Sequence, residues 1–211
     1  MAKQSDEIKI GIPYRANLEI SQLAQDILSE YGYINGNPVD VEAICENYFK
    51  LTLIPMYQLK SLHGVDAYVT SDFRIMVDQT CFEENSPRYR FSLAHELAHY
   101  VLHAEAYKKL AISDIQTHLS VQNQLSAEEL KKIEQQAYRF AGCLLLPDSA
   151  FSPLVKEYLS DTQLESMTIG HALHAVEMIA LQFQVSKDVV QKQLMFFHRD
   201  TYNKLMKILN Y

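Results

Sequence analysis

Apolar residues recur at helical spacing early in the chain: Leu18, Leu23, Ala24, Ile27, Leu28 and Tyr31 share one face, and Gly32 stands where such a helix stops. "NGNP" then predicts a turn, with Asn37 capping a second helix, Pro38 at its first position, and Val41, Ile44, Cys45 and Tyr48 on its apolar face. After Tyr48 the pattern changes. "FKLTLIP" (49–55), "GVDAYVT" (64–70) and "FRIMVD" (73–78) are short runs of strand type, the last two separated by Ser71 and Asp72, and together they predict a small, partly antiparallel sheet. At Ser86–Pro87 the helical period returns, over a segment expected to reach about His103. Another helix opens at "SAEE", where Ser126 and Glu129 have capping-box spacing, and stops before Pro147; two or three more helices follow. The expected fold class is α+β, helix-rich, with the sheet immediately ahead of the 87–103 helix. The expected organisation is a polar leader over 1–15, a core over 16–150, and a helical segment over 151–211 packed on that core.

Composition narrows the function classes. With 211 residues, 48% of them hydrophobic, the chain can bury a substantial core. A formal charge of -7 and interspersed signs disfavour a nonspecific grip on nucleic acid or an anionic membrane. "MAKQSDEIKIGIPYR" lacks the apolar centre of a signal peptide, and no stretch has the roughly 18 uninterrupted apolar residues of a membrane span, so the expected location is the cytoplasm. Cys45, Cys81 and Cys143 are far apart and without paired spacing, which reads as reduced structural thiols.

The chemistry is concentrated in "FSLAHELAHYVLH". On a helix, His95 and His99 lie about 40° apart around the axis and about 6 Å along it, so both imidazoles can converge on one ion with Glu96 beside them. This is H-E-x-x-H, a spacing suited to zinc with a carboxylate at hand for acid–base work. His103 sits about 12 Å further along the axis from His95, too far to share a tetrahedral ion. The longer pattern H-E-x-x-H-x-x-G-x-x-H is absent, since Leu102 and Glu105 stand at its Gly and His positions. Downstream, "IEQQAYRFAGCLLLP" offers Glu134 on the capped helix, with the small Ala137 and Ala141 at one- and two-turn spacing. By spacing alone, Glu134 is as well read as a solvated glutamate as a third ligand. A His-His-Glu set would leave a fourth position open and so mark a catalytic site.

"RFSLAHELAHYVLH" followed by "EQQAYRFAGCLLLP" resembles the ImmA/IrrE family of intracellular metallo-endopeptidases, whose H-E-x-x-H helix precedes an E-x-x-A-N-x-F-A-x-x-L-L-x-P helix. "PVDVEAICENYFKLTL" and "GVDAYVTSDFRIMVD" resemble that family's lead-in, extending the likeness over 16–150. The resemblance implies a zincin-like fold, with His95, His99 and Glu134 as ligands of one Zn2+ or another divalent ion and Glu96 as the catalytic glutamate. It also implies a regulatory protein substrate, a helix-turn-helix repressor or an antitoxin encoded nearby on a prophage or mobile element. Tyr138 departs from the family's Asn, so any hydrogen bond from that position must come from the Tyr hydroxyl or elsewhere. Tyr89, Tyr100, Tyr138 and His103 are the candidate donors to a tetrahedral oxyanion. The free edge of the sheet over 64–78 could accept an extended peptide as an added strand. The 34 residues between His99 and Glu134 are expected to hold a short helix or a lid.

In the C-terminal segment, His171, His174 and Glu177 of "HALHAVE" could suggest a second metal site, but nothing nearby completes a coordination set. Ala180, Val185, Ser186 and Val190 are placed as in a helix-turn-helix with Gln184 at the usual turn Gly; with Lys187, Lys192 and Arg199 as the nearby cations, DNA reading is disfavoured. The alternative to a peptidase is a metal-containing module that regulates transcription by docking to a transcription factor or DNA without proteolysis. Intact Glu96 favours the enzyme.

Overall fold

The computed structural model describes residues 10–34, 38–84 and 86–209. The elements are α1 (Asn17–Tyr31), α2 (Val41–Ala43) passing into a π-helical turn (Ile44–Tyr48), β1 (Thr52–Met56), α3 (Leu59–His63), β2 (Ala67–Val69), β3 (Arg74–Asp78), α4 (Gln79–Glu84), α5 (Pro87–Leu110), α6 (Ile115–Gln124) and α7 (Ala127–Leu145). There follow α8 (Asp148–Tyr158), α9 (Asp161–Ser166), α10 (Ile169–Phe183), α11 (Lys187–Phe197) and α12 (Arg199–Ile208). The chain divides into two compact units, Met1–Ala16 with Val41–Ala141, and Asn17–Asp40 with Gly142–Tyr211.

In the first unit the sheet order is β1-β3-β2, with β1 parallel and β2 antiparallel to β3. β2 is therefore an edge strand. Its pairing has a direct consequence: Asp66 accepts from the Asp78 amide and Thr70 donates to the Arg74 carbonyl, so residues 66, 68 and 70 face β3. Ala67 and Val69 turn their backbone groups to the free side. The β2–β3 connection also secures the motif helix. Phe73 takes the left-handed conformation (φ 62), and Ser71 exchanges hydrogen bonds with the Tyr107 carbonyl and the Ile112 amide just beyond the end of α5.

α5 starts as the sequence predicts. Ser86 Oγ accepts from the Tyr89 amide and Pro87 occupies the first turn, where its missing N–H is no loss. The helix does not stop near His103 but continues to Leu110, because Ala106, Tyr107 and Leu110 extend its buried face and no Gly or Pro interrupts them. Lys108 and Lys109 lie in its last turn, at the negative end of the helix dipole.

Other expectations need adjustment. Asn37 lies outside the described residues, and Pro38 does not open the second helix, which begins at Val41 and widens at Ile44 into the π-helical turn. Ser126 Oγ accepts from the Glu129 amide as predicted, but the Glu129 carboxylate accepts from the Ile10 and Gly11 amides, at 2.9 and 2.8 Å, and ties the N-terminal stretch to α7. Ile12 is buried beside that tether, so the end of the polar leader contributes to the core.

In the second unit, α1 buries Ile20, Ala24, Ile27 and Leu28, while Leu18 is 77% exposed and Gly32 ends the helix at φ 83. α10 and α11 are joined by a tight turn in which Gln184 adopts φ 53 and Ser186 caps α11. Gln184 thus takes the left-handed conformation at the position where a helix-turn-helix usually has Gly. His171, His174 and Glu177 are exposed on α10. All three cysteines are buried and free.

Candidate metal centre

α5 and α7 bring His95, His99 and Glu134 together: one ligand atom from each lies within 4.8 Å of the other two, and among the described residues this is the sole such group. His95 Nε2 is 3.0 Å from Glu134 Oε2, and His99 Nε2 is 3.8 Å from Glu134 Oε1. Bonds of about 2.1 Å at a tetrahedral angle separate neighbouring ligand atoms by about 3.4 Å, so these spacings straddle what one ion requires. Two neutral-capable imidazoles and a carboxylate are also chemically apt for zinc. The three residues fit a divalent metal.

Burial and mutual charge shift the titrations of these groups. Burial pushes Glu96 up to about 8; the Glu134 charge pushes the same way, whereas His95 and the Val69 N–H, which hydrogen-bonds the Glu96 carboxylate, oppose it. Burial likewise holds His99 well below the usual imidazole range, helped by the charges of His95, His103 and His118. Burial acts against a charged His95 too, but the hydrogen bond to Glu134 and the Glu96 and Glu134 charges outweigh it and raise its pKa. A divalent cation held by this group would draw Glu96 back toward the ordinary carboxylate range.

The group opens on a cleft of about 400 Å³. One wall is the chain from Gly64, which ends α3 at φ 72, to Ala67 on the β2 edge; Phe91 and Tyr138, rings 4.7 Å apart, form part of the rest. Of the four oxyanion-donor candidates, Tyr138 alone lines this cleft. Tyr89 packs edge-on against Phe82, Tyr100 lies between Phe49 and Phe73, and His103 faces His99 and Gln136. All three are helical residues of α5 whose positions around the axis turn them from the opening.

Two cleft residues escaped the sequence reading. Tyr107 packs its ring 4.9 Å from His99, and burial, with the Glu96 and Glu134 charges, holds its hydroxyl well above the ordinary phenol range. His118 on α6 lies against Tyr68, and its buried Nδ1 has no hydrogen-bond partner among the described residues. α6 is the element foreseen between His99 and Glu134. The signals were faint: Tyr107 continues the α5 register two turns past His99, while His118 sits in a segment with no motif.

Comparisons with known proteins agree with this geometry. A family model described as Peptidase_M78, the IrrE N-terminal-like domain, matches residues 81–195. Among solved structures, the chain is similar to a Mycobacterium tuberculosis transcriptional regulator, with a TM-score of 0.55 and 18% identity over 86% of this chain and 48% of that one. The chain thus spans about half the length of that regulator, and the likeness concerns the fold. No curated protein matches the chain.

Proposed function

We propose that this chain, which belongs to the Peptidase_M78 family of IrrE N-terminal-like domains, is a zinc-dependent endopeptidase that cuts one or few regulatory proteins. The observation that carries this reading is the placement of Glu96 beside the His95–His99–Glu134 group, in a cleft walled by an unpaired strand edge. A purely structural ion has no use for a buried carboxylate besides its ligands.

His95, His99 and Glu134 would hold the ion, whose Lewis acidity activates water and polarises the scissile carbonyl. The remaining work falls to the protein's own groups. Glu96, oriented by the Val69 N–H, takes a proton from the attacking water on its carboxylate and delivers it to the leaving amine nitrogen. Ala67, with its backbone groups on the free side of β2, pairs with an extended substrate and fixes the peptide across the cleft. Tyr138 and His118 supply polar hydrogen-bonding groups to the cleft wall where the carbonyl oxygen gains charge.

The substrate we favour is a helix-turn-helix repressor or an antitoxin, met in the cytoplasm, where buried free thiols such as Cys45, Cys81 and Cys143 stay reduced. Among the described residues no helix is long and apolar enough to cross a membrane. Co-expression with helix-turn-helix repressors as candidate substrates tests the reading: where wild type relieves repression, Glu96→Gln, with its metal retained, should not. Equal relief by both would replace proteolysis with docking.

A further inference from the structure

Behind His99, on the side away from the cleft, runs a chain of buried polar contacts that the proposed reaction does not use. His99 Nδ1 is 3.2 Å from His103 Nδ1, His103 Nε2 is 3.1 Å from Gln136 Oε1, and Gln136 Nε2 is 2.9 Å from the Pro13 carbonyl. His103 and Gln136 are 3% and 2% exposed, so each of these groups depends on its protein partner.

The hydrogen directions follow from the Pro13 end. A carbonyl only accepts, so the Gln136 NH2 must face Pro13 and its oxygen must face His103. That oxygen also only accepts, so the His103 proton sits on Nε2. Among the described residues no carboxylate touches either nitrogen of His103, and burying an unpaired imidazolium is costly, so His103 Nδ1 is a lone pair. Across the 3.2 Å contact His99 Nδ1 is then the donor. Its Nε2 is left bare, and Nε2 is the atom facing Glu134.

We infer that Pro13, Gln136 and His103 form a hydrogen-bond relay that locks His99 in its Nδ1–H tautomer and keeps the Nε2 lone pair directed into the metal centre. His103 and Gln136 are positioning residues, and the N-terminal stretch, held by Glu129 through Ile10 and Gly11, is the anchor of the relay. The inference rests on the metal-centre reading for its purpose, but not for its geometry. Outer hydrogen-bond partners of this kind are worth about 10- to 100-fold in metal affinity.

The test uses the full chain labelled with 15N at histidine. Long-range 1H–15N spectra of the metal-free protein report each tautomer, and competition against a chromophoric chelator reports zinc affinity. Wild type should show His99 protonated at Nδ1 and His103 at Nε2. His103→Leu fills the space without an acceptor, and Gln136→Met removes the acceptor of His103; each should mix the His99 tautomers and weaken zinc about 10- to 100-fold. His103→Asn, whose Oδ1 can stand where Nδ1 stood, should keep the His99 tautomer and bind zinc within a few-fold of wild type. Rescue by Asn separates positioning from packing, and if His103→Leu does not fold, Gln136→Met and His103→Asn decide. An Nε2–H His99 in wild type, or unchanged zinc affinity in Gln136→Met, would overturn the relay. A wild type with the stated tautomers but no zinc binding would refute the metal centre and leave the relay standing.

Discussion

Replacing Glu96 by Gln should remove a large part of the pH sensitivity of the metal-free protein's stability. Burial lifts the folded-state carboxyl from 4.5 to about 8. The folded protein thus holds this proton at pH values where the unfolded chain has lost it, and stability declines as pH rises from about 4.5 to about 8, then levels off. At about 1.36 kcal/mol per pH unit, the decline between about pH 5.5 and about pH 8.5 amounts to about 3 kcal/mol. Gln is neutral and of the same size, so the variant lacks this contribution, together with the Glu96 charge that helps to raise His95. The assay is urea denaturation of chelator-treated wild type and Glu96→Gln at the two pH values, comparing midpoints at equal slopes. Wild type should lose about 3 kcal/mol more than the variant, and added zinc should close the gap by stabilising the carboxylate. A gap below about 1 kcal/mol would refute the burial argument for Glu96.

Three further outcomes are expected. His95→Ala, His99→Ala and Glu134→Gln should each reduce bound zinc to a small fraction of one per chain, read by elemental analysis after gel filtration, because two remaining ligands hold the ion poorly. Ala67→Pro removes a backbone donor on the free side of β2 and leaves the β3 ladder intact, so the thermal midpoint should hold while KM for peptide cleavage rises several-fold. Phe140→Ala, at a fully buried position, should cost about 3 to 5 kcal/mol in chemical denaturation without altering zinc stoichiometry in the protein that remains folded.

The parts of this molecule that a one-dimensional pattern encodes were legible before the structure. Period and capping residues place α5 and α7, and the H-E-x-x-H spacing alone sets two imidazoles on one face. Glu134 was not legible that way. A lone glutamate on an amphipathic helix looks the same whether it meets solvent or histidine, and only the resemblance to a family singled it out. The groups that escaped owe their roles to contacts between elements: Tyr107 depends on α5 running to Leu110, His118 on how α6 folds back, and Glu129 on an N-terminal stretch that returns to α7. His103 shows the same limit from the other side. Spacing rules it out as sharing an ion with His95, but only the 3.2 Å contact between the two Nδ1 atoms shows that it stands behind His99.

The central claim is that the cleft cuts peptide bonds with Glu96 as its base. The most direct measurement is to incubate zinc-loaded wild type and zinc-loaded Glu96→Gln with a peptide mixture derived from a cell proteome and to map new termini by mass spectrometry. The account predicts internal cleavages with wild type that share a sequence preference, vanish on chelation, and are absent from the variant although its zinc content is unchanged. Identical cleavages from wild type and from fully metallated Glu96→Gln would contradict it.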